Sequence, residues 1–562
     1  MEMKPVVPTT GTGVMPFHRY RPFTPVRLSD RQWPDKVIDK APIWCSVDLR
    51  DGNQSLIEPM GVAKKCRMFD LLARRIGFKE IEVGFPAASE TEFDFIRTLI
   101  NERMIPEDVT IQVLTQARES LIRRTFDAVR GAERVIVHLY NSTSELQRRV
   151  VFGMDKDAIK SIATDHAKLI KELAGEMPET NWTFQYSPES FTGTELEFSL
   201  EICNDVLDVW EPSPAKRAII NLPATVEMAT PNVYADMIEW MHRNLARRDS
   251  TVLSLHTHND RGTGVGATEL GLMAGAERVE GTLFGNGERT GNVCLITLGG
   301  NLMSQGVDPR MDISDMTGII QIVEECTNIP VHARHPYGGA LAYTAFSGSH
   351  QDAIKKGLAA RKGTNDPVWE VPYLPIDPND IGREYRPIRI NSQSGKGGIA
   401  HIMQEEFHLQ FPRGMQIDFA GVVQRIADKT GKELEPPDLW NAFSEEYLQR
   451  TEPLQLSEYR EVPVGKGRRI EVDMWFDRTQ VTVEGEGTGA IDAFVHALNK
   501  RDTNISIVDF VSHARGHGSD AALVAYAAIR IPGHEPLWGV GTHTDSTKAS
   551  LLAVVSALNR LK

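Results

Sequence analysis

The stretch that decides the fold reads RVIVHLY (134–140), then KSIATDHAKLIKELAGEM (160–177), then WTFQYS (182–187). The first and third runs are short and rich in β-branched or aromatic residues, which is typical of strands. The middle run has the apolar spacing of an amphipathic helix. A strand, a helix and a second strand in this order predict two parallel strands joined by a helical crossover.

The same order recurs eight times between residues 41 and 290. The other six strand-like runs are IWCSVD (43–48), EIEVGF (80–85), TIQVLT (110–115), AIINLPA (218–224), VLSLHTH (252–258) and EGTLFG (280–285). Eight such units are the usual content of a closed (β/α)8 barrel. We therefore predict an α/β fold with a TIM barrel over residues 41–306. An open doubly wound sheet is the alternative, but no GxGxxG motif follows the first strand.

The remaining segments differ from the barrel in composition. Residues 1–40 contain Pro, Thr and Gly near their start and predict an extended N-terminal arm. Residues 307–435 break the alternation and predict a linker region carrying small helical subdomains. Residues 436–562 form a separate C-terminal domain in this interpretation.

The C-terminal domain contains a weak internal repeat. GEGTGAIDAFVHALNKR (485–501) and GVGTHTDSTKASLLAVVSALNRL (539–561) both read Gly-x-Gly-Thr before an apolar helix that ends in Ala-Leu-Asn. Strand-like runs precede both copies. Two related units with one helix each predict a pseudo-two-fold α+β domain.

Charge and cysteine content exclude several classes of function. The formal net charge of −14 does not favour a nucleic-acid or anionic-membrane partner. The five cysteines are scattered and form no CxxC pair, so we expect a reduced, cytoplasmic protein without a disulfide framework. No apolar run approaches the roughly 20 residues that span a bilayer, and the first residues lack the apolar core of a secretion signal.

The strongest local signal is His256-Thr257-His258-Asn259-Asp260, at the end of the seventh strand. Residues i and i+2 of a strand point to the same face, so His256 and His258 project together. Two imidazoles on one face can hold a divalent metal. The alternative is a hydrogen-bonded polar pair at a strand end.

A second signal, DLRDGNQ (48–54), closes the first strand. It lies at the carboxyl end of a strand, where active sites of TIM barrels are built. Asp51 can act as an oxygen ligand, and Arg50 can stabilise a developing oxyanion. The alternative is a structural ion pair between these two side chains.

Further polar residues lie at the ends of other predicted strands. They are His138 and Tyr140 (fourth strand), Ser187 and Glu189 (fifth), Thr225 (sixth), and Glu288, Arg289 and Asn292 (after the eighth). Polar groups from six of the eight strand ends are hard to explain by packing, because a buried polar group without a partner is costly. Their convergence favours an active site.

Several motifs together carry a resemblance to a known family. DLRDGNQ, LHTHNDRG (255–262) and GNGERTGN (285–292) resemble the DRE-TIM metallolyase superfamily and, within it, the 2-isopropylmalate synthases. The resemblance covers about residues 15 to 562. It continues through motifs that are similar to the longer, actinobacterial-like branch of the family: RHPYGG (334–339), YTAFSGSHQDAI (343–354), VPYLPIDPNDIGR (371–383) and NSQSGKGG (391–398).

The resemblance implies a set of metal ligands. Asp51, His256 and His258 would bind a divalent metal, with Asn292 as a nearby further ligand. The expected ion is Mg²⁺ or Mn²⁺, with Zn²⁺ also compatible. Activation by K⁺ is a further expectation. The NSQSGKGG segment is a candidate for contact with CoA, although a structural turn is an equal alternative.

The resemblance also implies roles in substrate binding and catalysis. Arg50, His138, Ser187 and Thr225 would contact a 2-oxo acid, and Glu189 would lie in the same pocket. His350 and Tyr373 would approach the active site from the subdomain of a second subunit, so a homodimer is expected. We expect Arg50, Glu189, His350 and Tyr373 to take part in catalysis, with His350 or Glu189 as the base.

The reaction implied is a condensation of acetyl-CoA with 2-oxoisovalerate to give 2-isopropylmalate and CoA. The C-terminal repeat would then be a regulatory domain that binds leucine. Glycines let a ligand approach backbone donors closely, so Gly487 and Gly541 are the candidate regulatory positions.

Three other interpretations remain open from the sequence. Citramalate and homocitrate synthases use the same barrel with pyruvate or 2-oxoglutarate, but apolar Leu114 and Pro223 near the pocket favour a branched aliphatic tail. Superfamily aldolases and lyases lack the long C-terminal repeat domain. A catalytically inactive leucine-binding protein is the rival of another class, and the intact metal ligands argue against it.

Overall fold

The computed structural model describes residues 21, 23–362, 367–385, 396–430, 434–516 and 521–561. Most of the predicted N-terminal arm and most of NSQSGKGG therefore lie outside the described residues. The chain divides into two compact units. The first extends to Ala342 and includes Asn379–Arg383, and the second comprises Tyr343–Pro378 and Glu384–Lys562.

The first unit is built on eight parallel strands that close into a barrel in sequence order. The strands are β1 (Ile43–Ser46), β2 (Glu80–Gly84), β3 (Thr110–Gln116), β4 (Arg134–Ser142), β5 (Asn181–Glu189), β6 (Ala218–Ala224), β7 (Thr251–Thr257) and β8 (Arg278–Gly281). Strand β1 pairs with both β2 and β8, which closes the ring. The predicted TIM barrel is confirmed and an open doubly wound sheet is excluded.

Helices surround this barrel, and most of them are amphipathic. Their bounds are Val62–Asp70, Glu90–Asn101, Glu119–Val129, Lys156–Gly175, Leu196–Trp210, Pro231–Asn244, Gly264–Met273, Leu295–Ser304 and Met316–Thr327. The helix Lys156–Gly175 shows why they form. The side chain of Asp155 accepts a hydrogen bond from the backbone of Ala158 and caps the first turn. Ile159, Ala163 and Ile170 then bury one face at helical spacing.

The last barrel strand is shorter than its sequence pattern predicts. EGTLFG suggested a strand through residue 285, but β8 ends at Gly281 and Leu283–Gly285 form a 3-10 turn. Phe284 has φ 56° and Gly285 has φ 76°, which lie in the left-handed region and cannot continue a strand. The turn carries the glycine-rich loop back over the mouth of the barrel.

The second unit ends in two similar layers of sheet and helix. One antiparallel sheet contains β9 (Leu454–Val464), β10 (Gly467–Phe476) and β11 (Thr479–Gly487), followed by the helix Ala490–Asn499. The other contains β12 (Ser506–Arg515), β13 (Ala522–Arg530) and β14 (Leu537–His543), followed by the helix Ser546–Asn559. The predicted pseudo-two-fold α+β domain is confirmed. The sequence reading did not identify β9, whose alternation is interrupted by charged residues.

The two repeats share one apolar core, and β13 shows how its sequence divides between two layers. Ala525, Ala527 and Ile529 face that shared core, whereas Val524 and Tyr526 on the opposite face pack against helices. Those helices are Lys396–Phe407, Arg413–Thr430 and Pro436–Phe443, and the unit also contains Gly348–Arg361. Among the described residues, no helix has the length and apolar character to cross a membrane.

Candidate active site

Three side chains converge at the carboxyl end of the barrel. Oδ2 of Asp51 lies 3.2 Å from Nε2 of His256 and 3.7 Å from Nε2 of His258. All three residues are buried, and their candidate ligand atoms lie within 4.8 Å of one another. The alternation of β7 places both histidines on the inner face, as the sequence indicates.

The unpaired atoms at this site fit a metal ion. Within the part of the chain that the structure describes, buried Oδ2 of Asp51, Nδ1 of His258 and Oδ1 of Asn292 have no hydrogen-bond partner. Unpaired buried polar atoms are rare because each costs free energy. A carboxylate with two imidazoles is a donor set that divalent ions accept. Asn292 lies beside this group, since it forms an isolated β-bridge with His258.

The local electrostatics separate the two histidines. Burial and the neighbouring His256 lower the pKa of His258 to about 4, so this ring is neutral at physiological pH. Burial opposes charge on His256, but the carboxylates of Asp51 and Glu280 raise its pKa to about 9. Burial likewise opposes charge on Asp51, yet Arg50 holds the pKa of that carboxyl well below its usual value. A metal ligand must be deprotonated, so ion binding displaces a proton from this cluster.

Arg50 is held between two carboxylates on the turn after β1. Its Nη1 donates to Oδ1 of Asp51 at 2.6 Å, and its Nε donates to Glu82 on β2. The turn is a π-helical segment, Asp48–Gly52, whose first residue accepts from the backbone N of Leu283 at 3.0 Å. This contact ties the DLRDG motif to the end of the eighth strand.

The fourth and fifth strands place a second polar group beside Arg50. Nε2 of His138 lies 2.7 Å from Oγ of Ser187. Nδ1 of His138 lies 2.8 Å from Oε2 of Glu82, so both ring nitrogens are engaged. The imidazole and the hydroxyl are thereby oriented before any ligand binds.

A cavity of about 230 Å³ unites most of the residues named from the sequence. Its floor and walls include Glu189, which accepts from Ser142, and Thr225, whose Oγ1 accepts from the backbone N of Ser190. The other predicted residues on its lining are Arg50, Asp51, His138, Tyr140, Ser187, His256, His258, Glu288, Arg289 and the apolar Leu114 and Pro223. The structure therefore brings the first-unit candidates together.

His350 and Tyr373 belong to the second compact unit. Their rings stack with centroids 4.0 Å apart, and both side chains are exposed. Tyr373 has φ 64°, an unusual backbone conformation for an aromatic residue. Strained backbone of this kind is concentrated at functional sites. The structure therefore places His350 and Tyr373 in contact with each other, as a pair within the second unit.

The sequence analysis did not identify a further cluster of polar side chains, which lies inside the barrel. Ligand atoms of Glu82, His138 and Glu280 lie within 4.8 Å of one another and all three residues are buried. The space among them is filled by Nε2 of Gln112, which lies 2.6, 2.9 and 3.3 Å from atoms of Glu82, Glu280 and His138. This group is therefore a hydrogen-bonded network. The signal in the sequence was a polar residue inside three apolar strand runs, at Glu82, Gln112 and His138, and Glu280 at the start of the eighth run.

The regulatory glycines have a packing role that sequence reasoning did not anticipate. A Cβ on Gly487 would lie 2.4 Å from the backbone N of Ala493, and one on Gly541 would lie 2.0 Å from the backbone O of Ala549. Each glycine thus faces the backbone of its own following helix. Close helix packing explains why glycine stands at both positions, and a regulatory role for them stays a prediction.

A larger cavity of about 670 Å³ borders the glycine-rich loop. Gly285, Gly287 and Arg289 form one side, while Asn328 and His332 lie on the other. Arg289 lines both this cavity and the smaller one. The RHPYGG motif contributes His335, whose Nε2 lies 3.3 Å from Sγ of Cys294.

Comparison with protein families follows the division of the chain. Residues 41–323 match the HMGL-like family, so the barrel and its metal-binding cluster are those of an HMGL-like enzyme that uses a divalent metal. Residues 340–404 match "Alpha-isopropylmalate synthase, post-catalytic domain-like", and residues 433–562 match "LeuA allosteric (dimerisation) domain".

Curated relatives match nearly the whole chain. A 2-isopropylmalate synthase of Parafrankia sp. (strain EAN1pec) is 56% identical over 553 residues, which cover 97% of this chain and 98% of the relative. One of Mycobacterium ulcerans (strain Agy99) is 55% identical over 565 residues, covering 97% and 100%. The chain therefore belongs to the 2-isopropylmalate synthase family. A solved hydroxymethylglutaryl-CoA lyase of Pseudomonas aeruginosa is 17% identical, covers 52% of this chain and 95% of its own, and has a TM-score of 0.43.

Proposed function

We propose that this chain condenses acetyl-CoA with 2-oxoisovalerate and hydrolyses the resulting thioester to (2S)-2-isopropylmalate and CoA, the first committed step of leucine biosynthesis. The observation that carries the proposal is the convergence of Asp51, His256 and His258 beside Arg50 in one cavity. Membership of the family supports the choice of substrates. The enzyme is then an acyltransferase of the cytoplasm.

Asp51, His256 and His258 would hold the ion, with Asn292 as a further oxygen donor. A divalent metal bound there supplies Lewis-acid polarisation of the keto-acid carbonyl. Mg²⁺ or Mn²⁺ suits the mixed oxygen and nitrogen donors, and Zn²⁺ is also compatible. We also propose that K⁺, bound separately from the divalent ion, activates the enzyme.

The keto acid would be bound by Arg50, His138, Ser187 and Thr225. Arg50 is already oriented by Asp51 and Glu82, so its guanidinium is preorganised for the negative charge that develops on the carbonyl oxygen. Ser187 offers its hydroxyl to the carboxylate, and the ring of His138 orients that hydroxyl through the 2.7 Å contact of its Nε2. Leu114 and Pro223 would contact the isopropyl tail.

Condensation begins when a base removes a proton from the methyl group of acetyl-CoA. We propose His350 as the base that removes this proton. Its ring stacks on Tyr373, and it would reach the cavity from the partner subunit. Glu189, already on the cavity lining, is the alternative base. The carbanion carbon then bonds to the keto carbon, the resulting alkoxide takes a proton, and water cleaves the thioester to release CoA.

Acetyl-CoA would occupy the cavity of about 670 Å³ beside the glycine-rich loop. Arg289 lies on both cavities, so a thioester could extend from the larger into the smaller one. We further propose a homodimer joined through the C-terminal domain, with leucine as an allosteric inhibitor acting there. Because that domain is separate from the metal cluster, inhibition has to act by shifting a conformational equilibrium.

The test measures thiol release from acetyl-CoA with each of four 2-oxo acids: 2-oxoisovalerate, pyruvate, 2-oxobutanoate and 2-oxoglutarate. We expect the highest kcat/KM with 2-oxoisovalerate and measurable side activity with smaller acids, because an apolar pocket discriminates one methylene by only about 1–3 kcal/mol. A clear preference for pyruvate or 2-oxoglutarate would assign the chain to a sister activity.

A further inference from the structure

Gln112 occupies a central position inside the barrel. It lies on β3 with a fully buried side chain, between Glu82 on β2 and Glu280 on β8. Its Nε2 donates to Oε2 of Glu82 at 2.6 Å and to Oε1 of Glu280 at 2.9 Å. Its Oε1 accepts from Nη2 of Arg278 at 2.8 Å. One amide therefore bridges two carboxylates and has all of its polar atoms paired.

Each of the two bridged carboxylates also contacts residues of the proposed active site. Oε2 of Glu280 lies 2.8 Å from Nδ1 of His256, the ring nitrogen opposite the one that faces Asp51. Glu82 accepts from Arg50 and lies 2.8 Å from Nδ1 of His138. Glu280 thus orients His256 in the metal-binding cluster, which we call the metal-binding half of the site. Glu82 orients Arg50 and His138, which belong to the keto-acid half.

These contacts close into a ring of six side chains, in the order Asp51, His256, Glu280, Gln112, Glu82, Arg50 and back to Asp51. Asp51, His256 and Arg50 face the cavity. Gln112 is the uncharged member, and it lies opposite the metal-binding cluster. Its two N–H groups are the link that joins the two halves below the cavity.

The amide of Gln112 reduces the repulsion between the carboxylates of Glu82 and Glu280. Glu82 and Glu280 are both inaccessible to solvent, and their oxygens lie within 4.8 Å of each other. Two carboxylates at that distance repel strongly where water cannot screen them. The amide of Gln112 donates to both and holds them in place. Arg278 and Gln185 also hold Glu280, and Arg50 also holds Glu82. Among the described residues, Gln112 alone donates to both carboxylates. Without it they lose their shared donor, and the rings and the guanidinium that they orient are less firmly placed.

We propose that Gln112 is a positioning residue that couples the metal-binding cluster to the keto-acid pocket. The inference rests on the proposed function, because it assumes a divalent ion at Asp51, His256 and His258. Gln112 itself touches neither substrate nor ion. It acts through Glu280 on His256 and through Glu82 on Arg50. It acts on His138 both through Glu82 and by its own contact, in which Nε2 lies 3.3 Å from Nδ1 of the ring.

The variant Gln112→Met removes the amide but keeps the length of the side chain. We expect it to weaken Mn²⁺ binding about 10- to 100-fold, the effect typical of losing support behind a metal ligand. We also expect kcat to fall and the KM for 2-oxoisovalerate to rise, since both halves of the site lose their support. Mn²⁺ binding is measured by electron paramagnetic resonance titration of the full chain without substrate.

Gln185 provides the matched control. It is equally buried and donates to Oε1 of Glu280 at 2.7 Å, but within the described part of the chain it forms no hydrogen bond with Glu82. Gln185→Met should therefore change Mn²⁺ affinity much less than Gln112→Met. Equal losses in the two variants would contradict the bridging role and leave only a packing role.

A double variant separates bridging from packing. Adding Glu82→Gln to Gln112→Met leaves one buried carboxylate, so the repulsion disappears and Mn²⁺ affinity should recover, whereas keto-acid binding should not. If Gln112→Met fails to fold, the double variant should fold again. A double variant that stays unfolded, or one that binds Mn²⁺ no better than Gln112→Met, would overturn the inference. Failure of the wild type to bind Mn²⁺ would instead count against the proposed function.

Discussion

The carboxylate of Asp51, on the turn after the first barrel strand, lies 3.2 Å from the imidazole of His256 at the end of the seventh. Strand β8 lies between β1 and β7, so only closure of the barrel brings these two residues together. Neither residue is near the other in sequence. Their contact links the fold to the chemistry, because a carboxylate and an imidazole at this distance can share a metal ion.

Loss of a ligand from this cluster should abolish turnover without unfolding the chain. We expect His258→Ala to reduce activity to background while its circular dichroism spectrum and melting temperature stay close to those of the wild type. The physical reason is that His258 contributes a neutral ring with an unpaired nitrogen to the cluster. Replacement of the exposed His534 by Ala is the control and should leave activity unchanged. Full activity of His258→Ala in metal-repleted buffer would refute the assignment.

The barrel, and those residues of the site that lie at the ends of its strands, could be predicted from the sequence for a physical reason. Strand ends of a parallel barrel face one way, so polar residues such as His256 and Ser187 could be assigned to a common face from periodicity alone. Gln112 and Glu280 could not be assigned in this way. They lie in mid-strand, and their pairing across the barrel depends on strand stagger, which local sequence does not encode.

The apolar wall of the cavity should determine the choice of keto acid. We expect Leu114→Ala to lower the preference for 2-oxoisovalerate over longer-chain 2-oxo acids by about tenfold, because the removed methyl groups leave room for a larger tail. The measurement is the ratio of kcat/KM values. Leu255→Ala is the control, since Leu255 is buried outside the described lining of that cavity and should alter stability without altering the ratio. An unchanged ratio in Leu114→Ala would place the tail elsewhere.

The stacked pair of the second unit should act in proton transfer. We expect His350→Ala to lower kcat strongly with a smaller change in the KM for 2-oxoisovalerate, because the group moves a proton that the substrate does not need for binding. Tyr373→Phe keeps the ring contact at 4.0 Å and removes only the hydroxyl, so it should retain more activity. If His350→Ala changed only KM, His350 would be a binding residue.

The two repeat glycines should be intolerant of any side chain. We expect Gly487→Ala to destabilise the C-terminal domain, because its Cβ would lie 2.4 Å from the backbone N of Ala493. Gly489→Ala is the matched control, since among the described residues no atom lies within 4 Å of the added Cβ. Thermal unfolding and leucine inhibition are measured on both variants. A stable Gly487→Ala that has lost only leucine inhibition would instead support a direct ligand role for this position.

The most direct test of the central claim follows the new carbon–carbon bond. The full chain is incubated with 2-oxoisovalerate and acetyl-CoA labelled with ¹³C in its methyl group, after chelation and again after addition of Mn²⁺. We predict that the label appears as the methylene carbon of 2-isopropylmalate in the NMR spectrum only when the metal is present. Thiol release without that methylene signal, or the same signal in chelated protein, would contradict a metal-dependent condensation.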